Sequence, residues 1–217
     1  MVERKASRKA AKPVVIGVTG HRDIVSDDAK ISALVRRELR AIVRANRGAP
    51  LLILSGLAEG ADRLVAEIAR KEFDAELCAV LPLPDALYER DFGSHKSVKD
   101  YRSLKGASQR VVAAPLMAAR RSLTRYGEPR NHQYAWIGAF IAKRAQVLIA
   151  IWDGAPARGT GGTAYVVDWF LSGRVPGAYR LSRAPRVPAR KRVAGTLVHI
   201  DPRTRKVRRR RRSRARG

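Results

Sequence analysis

The sequence predicts a doubly wound α/β domain built on a mainly parallel sheet, and three observations lead to that expectation. Short runs of apolar and β-branched residues without charge alternate with amphipathic stretches long enough for helices. Glycine-rich turns follow three of those runs. The strong positive charge lies mainly at the two ends of the chain, outside the alternating region.

Val14-Val15-Ile16-Gly17-Val18 is a buried strand that leads into the turn Thr19-Gly20-His21-Arg22. Ser26 or Asp27 is expected to cap the next helix, where Ile31, Leu34, Val35, Leu39, Ile42 and Val43 recur at helical spacing. Leu51-Leu52-Ile53-Leu54 forms a second strand, and the turn from Ser55 to Gly60 delivers a helix over residues 61–71 that buries Leu64, Val65 and Ile68. A third strand over 76–81 is stopped by Pro82 and Pro84. A fourth covers 109–113, a helix 132–144, a fifth strand 146–152 and a last helix 162–171. Right-handed crossovers bring the turns after strands one, two and five to one rim, beyond the carboxyl ends of the strands.

A chain of 217 residues with 45% hydrophobic content buries one sizeable core. The expected organisation is a basic extension over 1–12, a Rossmann-like nucleotide-binding domain over 13–179, an extension over 180–207 with one strand at Thr196–Ile200, and an arginine-rich tail over 208–217. Residues 180–217 hold sixteen basic residues against one acid, a large part of the formal charge of +26. The tail has no apolar residue to bury and is expected to be disordered. Such a run attracts polyanions, so the arginines between Arg208 and Arg216 are expected either to bind non-specific nucleic acid, with no base preference and no aromatic residue interleaved, or to act as a solubilising appendage with no defined partner. The lone Cys78 forms no intramolecular disulfide, no apolar run spans a membrane, and no apolar segment follows the basic start. The expectation is a cytoplasmic protein with no membrane partner. Trp136, Phe140, Trp152, Trp169 and Phe170 offer apolar surface for a homo-oligomer interface as well as for a core.

A glycine directly after a strand lets the backbone turn sharply and lets a ligand approach, while the next helix offers free N–H groups and a positive dipole end. That chemistry suits phosphate. Candidate ligand and phosphate contacts are therefore Thr19, Gly20, His21 and Arg22 in the first turn and Ser55, Gly56, Glu59, Gly60, Asp62 and Arg63 around the second. Gly161, Gly162 and Thr163 follow in the last, with Thr160 beside them. Arg22 and Arg63 supply charge-assisted forks. Glu59 and Asp62 either cap the helix or contact a ribose or base edge. None of the turns matches GxGxxG or a P-loop, and His21 has no partner at metal-ligand spacing, so no metal and no required cofactor is expected.

Gly20-His21-Arg22, then Ser55-Gly56-Leu57-Ala58-Glu59-Gly60-Ala61-Asp62, then Pro82 with Tyr88 and Asp91-Phe92, then Gly161-Gly162-Thr163 occur in that order. This set resembles the SLOG superfamily, which groups the DNA-processing protein A fold, the Lonely Guy phosphoribohydrolases and nucleotide-sensing domains. The resemblance spans residues 14–171 and implies a Rossmann-like pocket for nucleotides or derivatives such as ADP-ribose species, with phosphates at Gly20, Gly56 and Gly162. The Lonely Guy enzymes use PGGxGTxxE, whereas here Val166 stands three residues after Thr163 and no proline precedes the glycine pair. That departure favours a binding or sensor domain for an AMP or ADP-ribose type of ligand over an enzyme. The alternatives are a nucleoside-monophosphate phosphoribohydrolase using Glu59 or Asp62 as acid/base group, and a DNA- or RNA-binding protein of the DNA-processing type.

Overall fold

The computed structural model describes residues 11–24, 28–156, 160–179, 181–190, 193 and 195–212. Seven strands form one sheet in the order β4-β3-β2-β1-β5-β6-β7. They are β1 Val14–Gly20, β2 Leu51–Ser55, β3 Glu76–Leu81, β4 Arg110–Ala113, β5 Val147–Ile151, β6 Thr196–Ile200 and β7 Val207–Arg211. All neighbouring pairs are parallel except β6 with β7. The helices are α1 Ala29–Ala45, α2 Ala61–Phe73, α3 Asp85–Tyr88, α4 His95–Gly106, α5 Glu128–Arg144 and α6 Thr163–Ser172. This is the mainly parallel, Rossmann-like α/β layout expected from the alternation of elements.

The inner strands β1, β2, β3 and β5 are apolar on both faces because helices cover both. Val14, Ile16 and Val18 of β1 join one core with Ile31, Val35 and Leu39 of α1 and Val65 of α2, while Val15 joins the opposite core with Trp136 and Phe140 of α5 and Phe170 of α6. Each such side chain, fully removed from water, contributes about 1.5–3 kcal/mol. Successive strands step outward from β1 to β4 on one side and from β5 to β7 on the other. The crossovers after β1 and β5 therefore diverge, and a crevice opens between those two strands at their carboxyl ends.

Ser26 and Asp27, the expected caps of α1, lie outside the described residues; Asp28 accepts from the amides of Lys30 and Ile31 at 3.1 and 3.0 Å and fills that role. Helix α4 was not expected. Of its residues only Ser97, Tyr101 and Leu104 are buried, too thin an apolar stripe to stand out from the surrounding lysines. Four of the five aromatics considered for an oligomer interface, Trp136, Phe140, Trp169 and Phe170, are buried in the core, which removes them as interface candidates; Trp152 is partly exposed.

The largest departure is at the C-terminus. The folded unit does not end at residue 179: β6 pairs with β5 across its whole length, Ala150 opposite His199, and the chain then turns back as β7. Arg208 to Arg211, expected in a disordered tail, belong to this edge strand. Two arginines anchor it. Arg209 gives its Nε (2.8 Å) and Nη2 (2.5 Å) to Oε2 of Glu38, which is 1% exposed on α1. Arg212 donates to the carbonyls of Phe170 and Ala142 at 2.5 and 2.6 Å and stacks on the Phe170 ring. Residues 213–217 lie outside the described residues.

A buried carboxylate that loses a guanidinium partner is costly, but Arg209 is half exposed and Arg37 remains at 3.1 Å. Arg209→Ala is expected to destabilise the fold by about 1–2 kcal/mol, read as a lowered urea midpoint. An unchanged midpoint would remove β7 from the cooperative unit.

Candidate functional site

The rim of the sheet is stitched together at Gly20. A Cβ there would lie 2.4 Å from the carbonyl oxygen of Ile151 and 2.6 Å from the Cβ of Ala61. With only hydrogen in that place, the His21 amide donates to Ile151 (2.9 Å), and the His21 carbonyl accepts from Ala61 at the start of α2 (3.0 Å). Gly60 completes the junction at φ +77°, where a Cβ would meet the His21 oxygen at 2.4 Å. The bare Cα positions of Gly20 and Gly60 thus admit neighbouring protein backbone. Gly56 likewise faces Asp62 Oδ2, 2.8 Å from where its Cβ would be.

Beside this junction lies a cavity of about 490 Å³. One wall is the end of β1, Val18-Thr19-Gly20, with Arg22. The facing wall is the start of α6, where Gly161 takes φ +91° and packs against the backbone of Ala135 on α5. Thr19 and Thr163 face each other across the gap, their hydroxyls 3.4 Å apart. Among the described residues, no acceptor is hydrogen-bonded to the amides of Gly161, Gly162, Thr163 or Ala164. Thr163 and Ala164 belong to the first turn of α6 behind its N-cap Gly162, and Gly161, Gly162 and Thr163 line the cavity, which therefore meets the positive dipole end of the helix. Ile137, Gly138 and Val166 line an apolar part, and Asp62, Tyr88, Asp91 and Tyr134 close another side.

Arg22 forms no ion pair among the described residues. Its guanidinium lies 5.4 Å from the centre of the Tyr134 ring and makes one long contact, 3.5 Å, to the Asp91 carbonyl. The Asp91 carboxylate is spoken for: Arg130, itself buried, reaches it at 2.5 Å, and the Tyr134 hydroxyl donates to it. Asp62 is different. Burial pushes its carboxyl up to about 7, against the pull of the Ala58 and Gly56 amides and of Arg22 and Arg63. Near neutral pH it holds or releases a proton at the cavity wall.

The remaining candidates from the sequence are placed elsewhere. Arg63 is buried under α4, with Nε on the Leu57 carbonyl (2.9 Å), Nη1 on Ser97 (2.9 Å to its carbonyl, 2.7 Å to Oγ) and its guanidinium 4.4 Å from the Phe92 ring centre. It ties these loops together, leaves Nη2 without a hydrogen-bond partner, and lines the neighbouring cleft rather than this cavity. Glu59 faces a neighbouring cleft, where it accepts from the Gly93 amide (3.0 Å) and from Ser97. Burial acts to raise its pKa, but those hydrogen bonds and the charge of Arg63 outweigh it and keep the carboxyl below its usual range. Of the two carboxylates, Asp62 lines the cavity and Glu59 lines the neighbouring cleft. Ser55 is fully buried and bridges the Leu57 amide and the Asp62 carbonyl. His21 turns outward, its Nε2 accepting from the Asp153 amide at 3.1 Å.

Asn131, Tyr134, Ile137 and Gly138 were missed because they sit on α5, whose sequence, polar up to Gln133 and apolar from Tyr134 to Ala142, signals a core helix with a solvated start and nothing more. Among the described residues no three His, Cys, Asp or Glu side chains are grouped to hold a metal, and no helix is long and apolar enough to cross a membrane.

Neither any protein-family model nor any curated protein matches the chain.

Two outcomes are expected from this geometry. Gly60→Ala places a methyl group against backbone at a positive φ and should cost about 3 kcal/mol or more, seen as a fall in Tm; a Tm within a degree or so of the parent would break the account of the junction. For Asp62 the folded carboxyl titrates near 7 and the unfolded one near 3.8, so folding is favoured by the protonated form. That contribution is complete below about pH 4 and is lost as pH rises through 7. Asp62→Asn, neutral throughout, should gain on the parent chain between about pH 4 and pH 8 and exceed it at the upper end by several degrees in Tm. A difference independent of pH would show that Asp62 is not held in an unfavourable charged state.

Proposed function

We propose that the cavity between β1 and α6 binds a nucleotide or nucleotide-derived ligand of the AMP or ADP-ribose type, and that the domain acts as a sensor of it. The observation that supports this most is the set of backbone amides at Gly161, Gly162, Thr163 and Ala164, which lack acceptors among the described residues, at a cavity also lined by Arg22, which forms no ion pair among those residues. Phosphate takes the place at the helix N-terminus, with Thr19, Thr163 and Arg22 as further donors. The sugar and base lie toward Asp62 and the rings of Tyr88 and Tyr134. The resemblance to SLOG proteins, carried by the same glycine turns, implies the same ligand class.

A second reading, a nucleotide N-glycosidase, is favoured by one feature: Asp62 has a carboxyl that titrates near 7 at the cavity wall, as suits a group that protonates a departing base. Val166, where the Lonely Guy motif has glutamate, lines the apolar part of the same cavity and supplies no carboxylate.

A thermal-shift series with AMP, ADP-ribose, cyclic ADP-ribose and NAD tests the first reading. At about a hundredfold excess over Kd the ligand should add about 2.7 kcal/mol of stability, and Arg22→Ala should weaken binding about tenfold or more. No stabilisation by any of the four would count against it. Release of free base from AMP, lost in Asp62→Asn and kept in Glu59→Gln, would establish the second.

A further inference from the structure

On the C-terminal hairpin, far from the role first expected for it as an unstructured tail, positive charge and aromatic surface share one face. Residues directly opposite each other on paired strands point to the same side of the sheet. Arg208 is opposite His199, and Arg210 is opposite Leu197. Leu197 packs into the core beneath α5 and α6, so Arg208 and Arg210 emerge on that side; Arg209, opposite Val198, points the other way to Glu38.

Trp152 extends the same face from the end of β5. Its ring lies 4.5 Å, centre to centre, from that of His199, whose Nε2 is 2.8 Å from the Trp152 carbonyl, and both residues are partly exposed. Neither Arg208 nor Arg210 forms an ion pair with any described residue, although Arg203, Arg205 and Arg209 of the same hairpin all do. The anchoring arginines account for the order of the strand, and these two account for nothing in the fold.

We propose that the face formed by Trp152, His199, Arg208 and Arg210 binds single-stranded nucleic acid. Arg208 and Arg210 stand about 6.8 Å apart along the strand, an extended pair of guanidinium forks that can hold successive phosphates of one backbone. The Trp152–His199 pair offers a platform for a base from the same strand, and stacking there is indifferent to base identity. A duplex keeps its base faces covered and would use the arginines alone. An acidic peptide would likewise leave the aromatic pair idle. The chemistry recognised is common to RNA and DNA, and it is independent of the cavity beside α6.

Trp136 and Trp169 are buried, at 3% and 7% exposure, so a change in tryptophan emission on binding reports Trp152. The full chain is titrated with a fluorescent oligothymidylate and, in parallel, an oligouridylate, a duplex of the same length and a poly-glutamate of matched charge. Single strands are expected to quench Trp152 and to bind more tightly than duplex or poly-glutamate. Trp152→Ala should weaken single-strand binding about tenfold. Arg208→Gln with Arg210→Gln should weaken it further and reduce the log-log salt slope by about 1.4, as for two phosphate contacts on a single strand. Circular dichroism confirms that these surface variants fold. A chain ending at Arg212 should keep most of the affinity. The proposal is overturned if the double glutamine variant binds within twofold of the parent, if duplex or poly-glutamate binds as tightly as single strand, or if removing residues 213–217 abolishes binding.

Discussion

The close approach of three chain segments at Gly20 is the constraint on which the rest of the molecule depends. Strand β1 must end against the last carbonyl of β5 and the first residue of α2 at once, and hydrogen is the only side chain the space allows. Once that contact is made, the amide and carbonyl of His21 are both satisfied by neighbouring backbone. The direction of α2 is then fixed, and Asp62 in its first turn is carried to the wall of the cavity. The same contact sets where Arg22 leaves the sheet. A glycine required by packing thus sets the shape of the cavity wall to which it also belongs.

Polar groups around the cavity divide into those consumed by the fold and those left open. Arg63, Ser55, Glu59 and the pair of Asp91 with Arg130 have partners that fix their geometry. They form a rigid shell, and rigidity costs them freedom to respond to a ligand. The open groups are the α6 amides, the hydroxyls of Thr19 and Thr163, Arg22 and the carboxyl of Asp62. The open donors suit an anion with oxygen acceptors at one end. The rings of Tyr88 and Tyr134, near Asp62, give the other end a mixed polar and flat aromatic character.

Much of the fold was legible from the sequence because the strands carry no charge and the helices carry their apolar residues at regular spacing. β1, β2, β3 and α2 fall close to where that pattern puts them. α4 was hidden by its polar sequence, since its stability comes from a few tertiary contacts such as Tyr101 to Asp85. β7 was hidden for a sharper reason. Five consecutive arginines have no intrinsic reason to form a strand, and what orders them is a buried glutamate 171 positions away and two carbonyls at the ends of α5 and α6. Long-range compensation of that kind leaves no local signature. For the site, the turns were legible and their side chains only in part: Thr19, Gly20, Arg22, Asp62 and the start of α6 converge, while Arg63 and Glu59, equally close in sequence, face the other way around α2. A shift of one or three positions on a helix decides which side a residue meets, and the turn motif alone does not set it.

The open amides at the start of α6 are the most direct point of attack. In a backbone amide NMR spectrum of the labelled chain titrated with ADP-ribose, the account requires that the resonances of Gly161, Gly162, Thr163 and Ala164 shift together and saturate with one dissociation constant, while the amides of His21 and Ala61, already bonded to protein, move little. Binding that leaves the α6 resonances in place, or that perturbs some other face of the sheet alone, would contradict it.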